Sequence, residues 1–285
     1  MCTGGVWMDV KPNWMPDDLL ESPLFEPLHP VIERMGAAER FPNLDDLNAL
    51  LASQCPEIRV ARGLPVHFVP QALGRLTFEA QYEPRCFLTG AVQTRADNWH
   101  DLYNALVWLT FPRAKAAVNQ RHFQALTDGA AAAGRRGAVR DMTTLLDESG
   151  VVVAYADDEL AGLLRGFQWK TLFWDQRERL GQGMDFVLFG HGLYEKAMQP
   201  YIGMTGQGLL LRVTQEYFTW PLSQRLAHLD EALASYLADP GRCRDTAELS
   251  PVPLLGIPGW SRDSARQGFY DDMAYFRPGR GTHKK

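Results

Sequence analysis

The chain has 285 residues, 46% of them hydrophobic and 22% charged, with a formal net charge of −5. That composition supports a sizeable packed core and excludes wholesale disorder. The acidic balance excludes a broad electrostatic grip on nucleic acid or anionic lipid, which needs clustered Lys and Arg.

Cys2, Cys55, Cys86 and Cys243 are scattered, with no Cys-x-x-Cys pair. Ordinary reduced thiols in a cytoplasmic protein are expected, rather than a disulfide framework or a Cys-based zinc site. The start of the chain lacks a basic region followed by an apolar run. The longest apolar runs are too short to span a bilayer, so no membrane association is expected.

In residues 1–60, Pro recurs at 12, 16, 23, 27, 30 and 42. This predicts extended chain wrapped over the body, interrupted by short helices such as Leu44 to Ala52. Leu64 to Val69 reads as a short strand, while Thr77 to Gly90 fits helix and strand equally. Asn98 is a good N-cap for a helix carrying the apolar stripe Leu102, Ala105, Leu106 and Leu109. Pro112 ends that run and starts a second helix to about residue 127. Met142 to Tyr155 reads as a hairpin, with Asp147-Glu148-Ser149-Gly150 as its turn. Residues 157–180 look mainly helical. Asp185 to Phe189 is a short strand, and Gly190-His191 leads into a helix ending near Pro200. Gly208 to Thr214 is another strand, and Pro221 to Ala238 is the clearest amphipathic helix.

These elements predict an α+β fold: a single compact domain, mainly helical, with short strands and a β-hairpin. Residues 1–60 form its N-terminal extended and helical wrap, 61–278 its α+β core, and 279–285 a flexible basic tail.

Three groups of residues have spacing suited to chemistry. His100 and Asn104 share a helix face, with Asp101 beside Asn104; Lys115, Asn119 and His122 form a stripe on the next helix. The second group is Phe189 to Lys196, where a strand meets a helix and His191 and Glu195 lie four apart, as metal ligands or an acid–base pair require. It lacks the His-Glu-x-x-His order of a zinc protease. The third is Arg135, Arg136 and Arg140, whose guanidinium forks suit a phosphate or carboxylate. Against each stands a plainer role: solvated helix faces, a His–Glu surface pair and loop salt bridges. Asp147 and Glu148 are expected to serve the turn. No Walker loop, dinucleotide fingerprint or Gly-x-Ser-x-Gly elbow is present, and the Gly203–Gly208 run leads into a strand, which suits a phosphate loop poorly.

Several segments in order resemble a bacterial family catalogued as domain of unknown function 3025. They are Tyr82-Glu83, Gly90 to Arg95, Trp99 to Trp108, Phe111-Pro112 with Lys115 and Asn119, and Arg140-Asp141 with Thr144 and Asp147 to Gly150. Gly190-His191 with Glu195, Pro253 to Trp260, Phe269 to Asp271 and Phe276 to Pro278 complete the set. The family pattern has Pro where Gln93 stands here. The resemblance implies one domain in a bacterial cytosolic setting and carries no established activity.

The leading expectation is a hydrolase-like enzyme with a cleft built from His100, Asp101, His191 and Glu195 as catalytic groups. Asn104, Lys115, Asn119 and Arg140 would bind a small anionic or phosphorylated substrate. In a metal-dependent version, His100, His191 and Glu195 hold a divalent ion, which requires the two histidines to lie within about 12 Å of each other. The competing expectation is a non-catalytic adaptor whose aromatic segments (Trp169 to Trp174, Trp260, Phe269 to Phe276) form a partner surface.

Overall fold

The computed structural model describes residues 14–36, 40–127 and 133–279, with no side chains described for 133–136. The N-terminal segment is more helical than its prolines suggest. Helices α1 (Pro16–Leu20), α2 (His29–Met35) and α3 (Leu44–Ala52) are joined partly by a 3-10 turn over Pro23–Leu28. Pro16, Pro23 and Pro30 stand in the first turn of their helices, where the missing N–H costs nothing. Trp14, Leu24, Phe25, Leu28 and Ile32 enter the same hydrophobic cluster as the rest of the chain.

Strand β1 (His67–Val69) pairs in parallel with β2 (Ala91–Gln93), and between them lies α4 (Tyr82–Thr89). The ambiguous stretch is therefore helical from Tyr82. Gln93 extends the small sheet into the next loop: its Oε1 accepts from Ala72 N at 2.8 Å, and its Nε2 donates to Ala80 O at 3.3 Å. Helix α5 (Trp99–Thr110) starts where Asn98 Oδ1 accepts from Asp101 N, as the cap predicts. Helix α6 (Pro112–Thr127) follows directly.

The expected hairpin is not there. Helix α7 (Ala133–Ser149) runs straight through Asp147 and Glu148 into β3 (Gly150–Tyr155). The reason is a helical periodicity. Met142, Thr143 and Leu146 are fully buried at i, i+1 and i+4, one stripe of a helix, and this outweighs the turn-like composition of the Asp-Glu-Ser-Gly run.

Beyond β3 come α8 (Asp158–Arg165), a π turn over Thr171–Asp175, β4 (Met184–Leu188), α9 (His191–Ala197), β5 (Thr205–Arg212), α10 (Leu222–Ala238) and β6 (Ser250–Pro253). The larger sheet has the order β4-β3-β5-β6, with β3 antiparallel to β4 and parallel to β5. Val151 to Ala154 are wholly buried, as a central strand covered on both faces requires. Among the described residues no helix is long and apolar enough to cross a membrane.

The aromatic segments that would serve an adaptor point inward. Trp169, Phe173, Tyr270, Tyr275 and Phe276 are buried, and Trp174, Trp260 and Phe269 pack against the core. Their ring edges and faces meet one another, as between Trp169 and Phe173 at 6.1 Å, so they build core rather than a partner surface.

Candidate functional site

The register of β3 against β4 determines what meets at one end of the sheet. Val151 pairs with Leu188, and both Phe189 N and Gly190 N donate to Gly150 O. The residue before β3 therefore faces the residue after β4, which brings Glu148, at the end of α7, to His191, at the start of α9. Two glycines permit the approach. A Cβ on Gly190 would lie 2.4 Å from Gly150 N, and one on Gly192 would lie 2.8 Å from Glu148 Oε2.

His100 arrives from α5 by aromatic packing. Tyr103 and Tyr194, each three residues beyond a histidine and so on the same helix face, stack at 5.9 Å. Phe25 of the N-terminal segment contacts both rings, at 5.7 and 5.6 Å. This stack joins α5 to α9 and sets the two imidazoles edge to face at 4.5 Å.

His100 Nε2 and His191 Nε2 lie 3.0 Å apart, and Glu148 Oε1 is 3.8 Å from the first and 3.6 Å from the second. Two ring nitrogens this close repel unless a proton or a cation lies between their lone pairs. The nearest point equidistant from the three atoms is about 2.0 Å from each, the length of a Zn–N or Zn–O bond. The other nitrogen of each ring faces a carboxylate. Glu195 Oε2 is 3.1 Å from His100 Nδ1, and Asp147 Oδ2 is 3.7 Å from the buried His191 Nδ1. Glu195 is within hydrogen-bond distance and can fix the His100 ring orientation and the tautomer that leaves its Nε2 free as a ligand. Asp147 makes only an ion-pair approach, and His191 Nδ1 has no hydrogen-bond partner among the described residues.

The electrostatics keep the second imidazole uncharged. Burial, against the pull of Asp147, pushes the His191 imidazole down to about 4, so the ring is neutral and its lone pair available near pH 7. Burial works to raise Asp147, yet Lys115, His191 and His122 together outweigh it and hold the carboxyl at about 2. Lys115, itself buried, donates to Asp147 Oδ1 and stands 5.8 Å over the Trp108 ring. Acids in the last turn of a helix oppose its dipole, so Asp147 and Glu148 gain nothing from α7 itself.

A cleft of about 540 Å³ opens onto this group. Beyond the two histidines and Glu148, its walls include Gln71, Gln81, Tyr82, Glu83, Gln93, Arg95, Asp101, Asn104 and Asp147. Asn104 Nδ2 donates to Tyr82 OH at 2.7 Å, which leaves the Tyr82 hydroxyl hydrogen free for another acceptor. Burial raises the Tyr82 phenol well above its usual range, so it stays a donor.

The sequence expectations divide on this geometry. His100 and His191 meet at far less than 12 Å, and Asn104 lines the cleft. Glu195 supports His100 from behind and is not one of the three converging atoms; Glu148 takes that position. Asp101 is engaged by Arg95 through three bonds of 2.7, 2.9 and 2.7 Å. Burial acts to raise it, but those bonds keep its carboxyl below the usual range. Lys115 and Asn119 are buried and line not the cleft but a much smaller cavity beside it. Arg140 is exposed on α7 and is not among the lining residues, and the side chains of Arg135 and Arg136 fall outside the described residues. Sequence reasoning missed Glu148, Asp147, Tyr82 and Glu83, although all four lie within the family-like motifs.

Neither the curated proteins nor the solved structures contain a match to this chain. The family profile described as "Protein of unknown function (DUF3025)" matches residues 66–280, a span holding every cleft-lining residue, and the chain belongs to that family.

Proposed function

We propose that the protein is a metal-dependent hydrolase acting on a small, uncharged polar acyl compound, an amide or an ester. The observation that carries this reading is the convergence of His100 Nε2, His191 Nε2 and Glu148 Oε1 around a point at metal–ligand distance, with Glu195 bonded to His100 and the Asp147 carboxylate facing His191. Three protein ligands leave a coordination position open to the cleft, as catalytic sites require. A divalent cation held there supplies Lewis acidity and brings the pKa of water down to about 7.

The lining argues for a neutral substrate over the anionic or phosphorylated one that the sequence suggests. Arg95 is paired with Asp101 and Lys115 with Asp147, so both cations near the cleft are neutralised. The amides of Gln71, Gln81, Gln93 and Asn104 and the hydroxyl of Tyr82 offer hydrogen bonds without charge.

Zinc-loaded protein should hydrolyse p-nitrophenyl acetate or N-acetyl amino-acid amides at a rate that a chelator abolishes and added zinc restores. Faster turnover of phosphate monoesters, dependence on iron(II) and oxygen, or no metal-dependent turnover of any acyl probe would overturn the reading.

A further inference from the structure

Four acids line the cleft, and three are already committed. Asp101 is held by Arg95, Asp147 is held by Lys115 while facing His191, and Glu148 belongs to the converging triangle. The fourth, Glu83, stands in the first turn of α4. Asn119 Nδ2 reaches it twice, donating to its backbone oxygen at 3.0 Å and to Oε2 at 2.5 Å. Its Oε1 has no partner among the described residues and is not among the sealed polar atoms.

We propose that Glu83 is the acid–base residue of this site, with Oε1 as the atom that carries the proton. The inference rests on the metal-hydrolase reading above and adds a catalytic residue to it. As the water oxygen bonds to the acyl carbon, one of its O–H bonds breaks and that proton passes to Glu83 Oε1. As the acyl C–N or C–O bond then breaks, the same proton moves to the departing nitrogen or oxygen, and Glu83 is a carboxylate again. Asn119 is a positioning residue. By holding Oε2 and the backbone it leaves Oε1 as the one oxygen turned to chemistry, which gives a role to a side chain that does not line the cleft.

The surroundings suit that task. Enclosure raises the Glu83 carboxyl above its usual range, the repulsion of Asp147 adds to it, and His122, Asn119 and Lys115 act the other way. A carboxyl moved upward in this way transfers protons nearer neutral pH than an exposed one. Glu83 is also shared with a second, much smaller cavity lined by Trp108, Lys115, Asn119 and Asp147. The acid therefore borders both cavities, as Asp147 does.

The test uses the cobalt(II)-loaded full chain, wild type and Glu83→Gln, with two probes of the metal. Acetohydroxamic acid binds a metal as its anion and must give up a proton on entry; thiocyanate has none to give. Glu83→Gln should bind cobalt with unchanged stoichiometry and visible spectrum. Its affinity for acetohydroxamic acid should fall at least about 10-fold while that for thiocyanate stays within about 3-fold, and Glu83→Asp should recover part of the loss. Equal hydroxamate affinity in wild type and Glu83→Gln would overturn the proposal, as would an equal loss of both probes. Loss of cobalt from Glu83→Gln would overturn it too, by making Glu83 part of the metal's own support. If the wild type takes up no cobalt, the metal reading itself fails and the role of Glu83 falls with it, a different result from the other three.

Discussion

Lys115→Met is expected to destabilise the protein by about 3–5 kcal/mol, because it leaves the Asp147 carboxylate buried without its counter-ion. For a chain of this size that is a fall in Tm on the order of 10 °C. The ammonium is 3% exposed and the carboxylate 13%, so solvent does little to replace the lost partner. The pair also predicts a pH dependence. The folded Asp147 titrates at about 2 against an ordinary 3.8. Its contribution is therefore present above about pH 4 and lost as pH falls towards 2, since the unfolded chain takes up the proton first. Lys115→Met should abolish that part of the acid profile. The double variant Lys115→Met with Asp147→Leu should recover most of the stability, as replacement of a whole buried ion pair often does. Urea unfolding of the two variants between pH 2 and 7 checks all three points, and a Lys115→Met variant as stable as wild type would refute the account of the pair.

Gly190→Ala should have an effect of similar size on stability and a larger one on the site. The new Cβ would stand 2.4 Å from Gly150 N, 2.5 Å from Ser149 N and 2.6 Å from Glu148 C, all backbone atoms at the junction of α7 and β3. No side chain can swing aside, so the end of β4 must separate from the start of β3. The cost should reach the upper part of the ~1–3 kcal/mol range for overpacking, and His191 should move away from Glu148. Gly192→Ala meets Glu148 Oε2 at 2.8 Å and Glu148 O at 2.9 Å, where the carboxylate can rotate away. It should cost less stability while still pulling Glu148 out of the triangle. Chemical unfolding beside metal titration separates the two effects; wild-type metal affinity in both variants would show that the close approach does not build the site.

Much of the frame was legible in the sequence wherever a local signal and the tertiary packing agree. Asn98 caps α5, Pro112 starts α6, and Gly190 precedes α9, each with the chemistry those positions demand. The meeting of His100 and His191 followed from reading two His-bearing helix starts as parts of one cleft. The acids were harder. Asp147 and Glu148 sit in a run whose composition says turn, and only the burial of Met142 and Leu146 shows it to be helix. Lys115 is expected from spacing among the substrate-binding residues, and its ion pair with Asp147, 32 residues away on another helix, is a contact about which periodicity carries no information. The aromatic segments posed the same problem: composition reveals large rings but not which way they face. Glu195 is expected from spacing as an acid–base group or a metal ligand, whereas the structure sets it against His100 Nδ1, a distinction between the two nitrogens of one ring that spacing cannot draw.

The most direct measurement is a zinc titration of metal-free protein, with X-ray absorption on the loaded form, for the wild type and for His100→Ala, His191→Ala, Glu148→Ala and Glu195→Ala. The wild type should bind one ion tightly per chain, with two imidazole nitrogens and carboxylate oxygen at about 2.0–2.2 Å. Each of the first three substitutions should weaken binding by more than about 100-fold, and Glu195→Ala by about 10–100-fold as a supporting carboxylate. No stoichiometric uptake by the wild type, or uptake that survives both His191→Ala and Glu148→Ala unchanged, would contradict the metal reading.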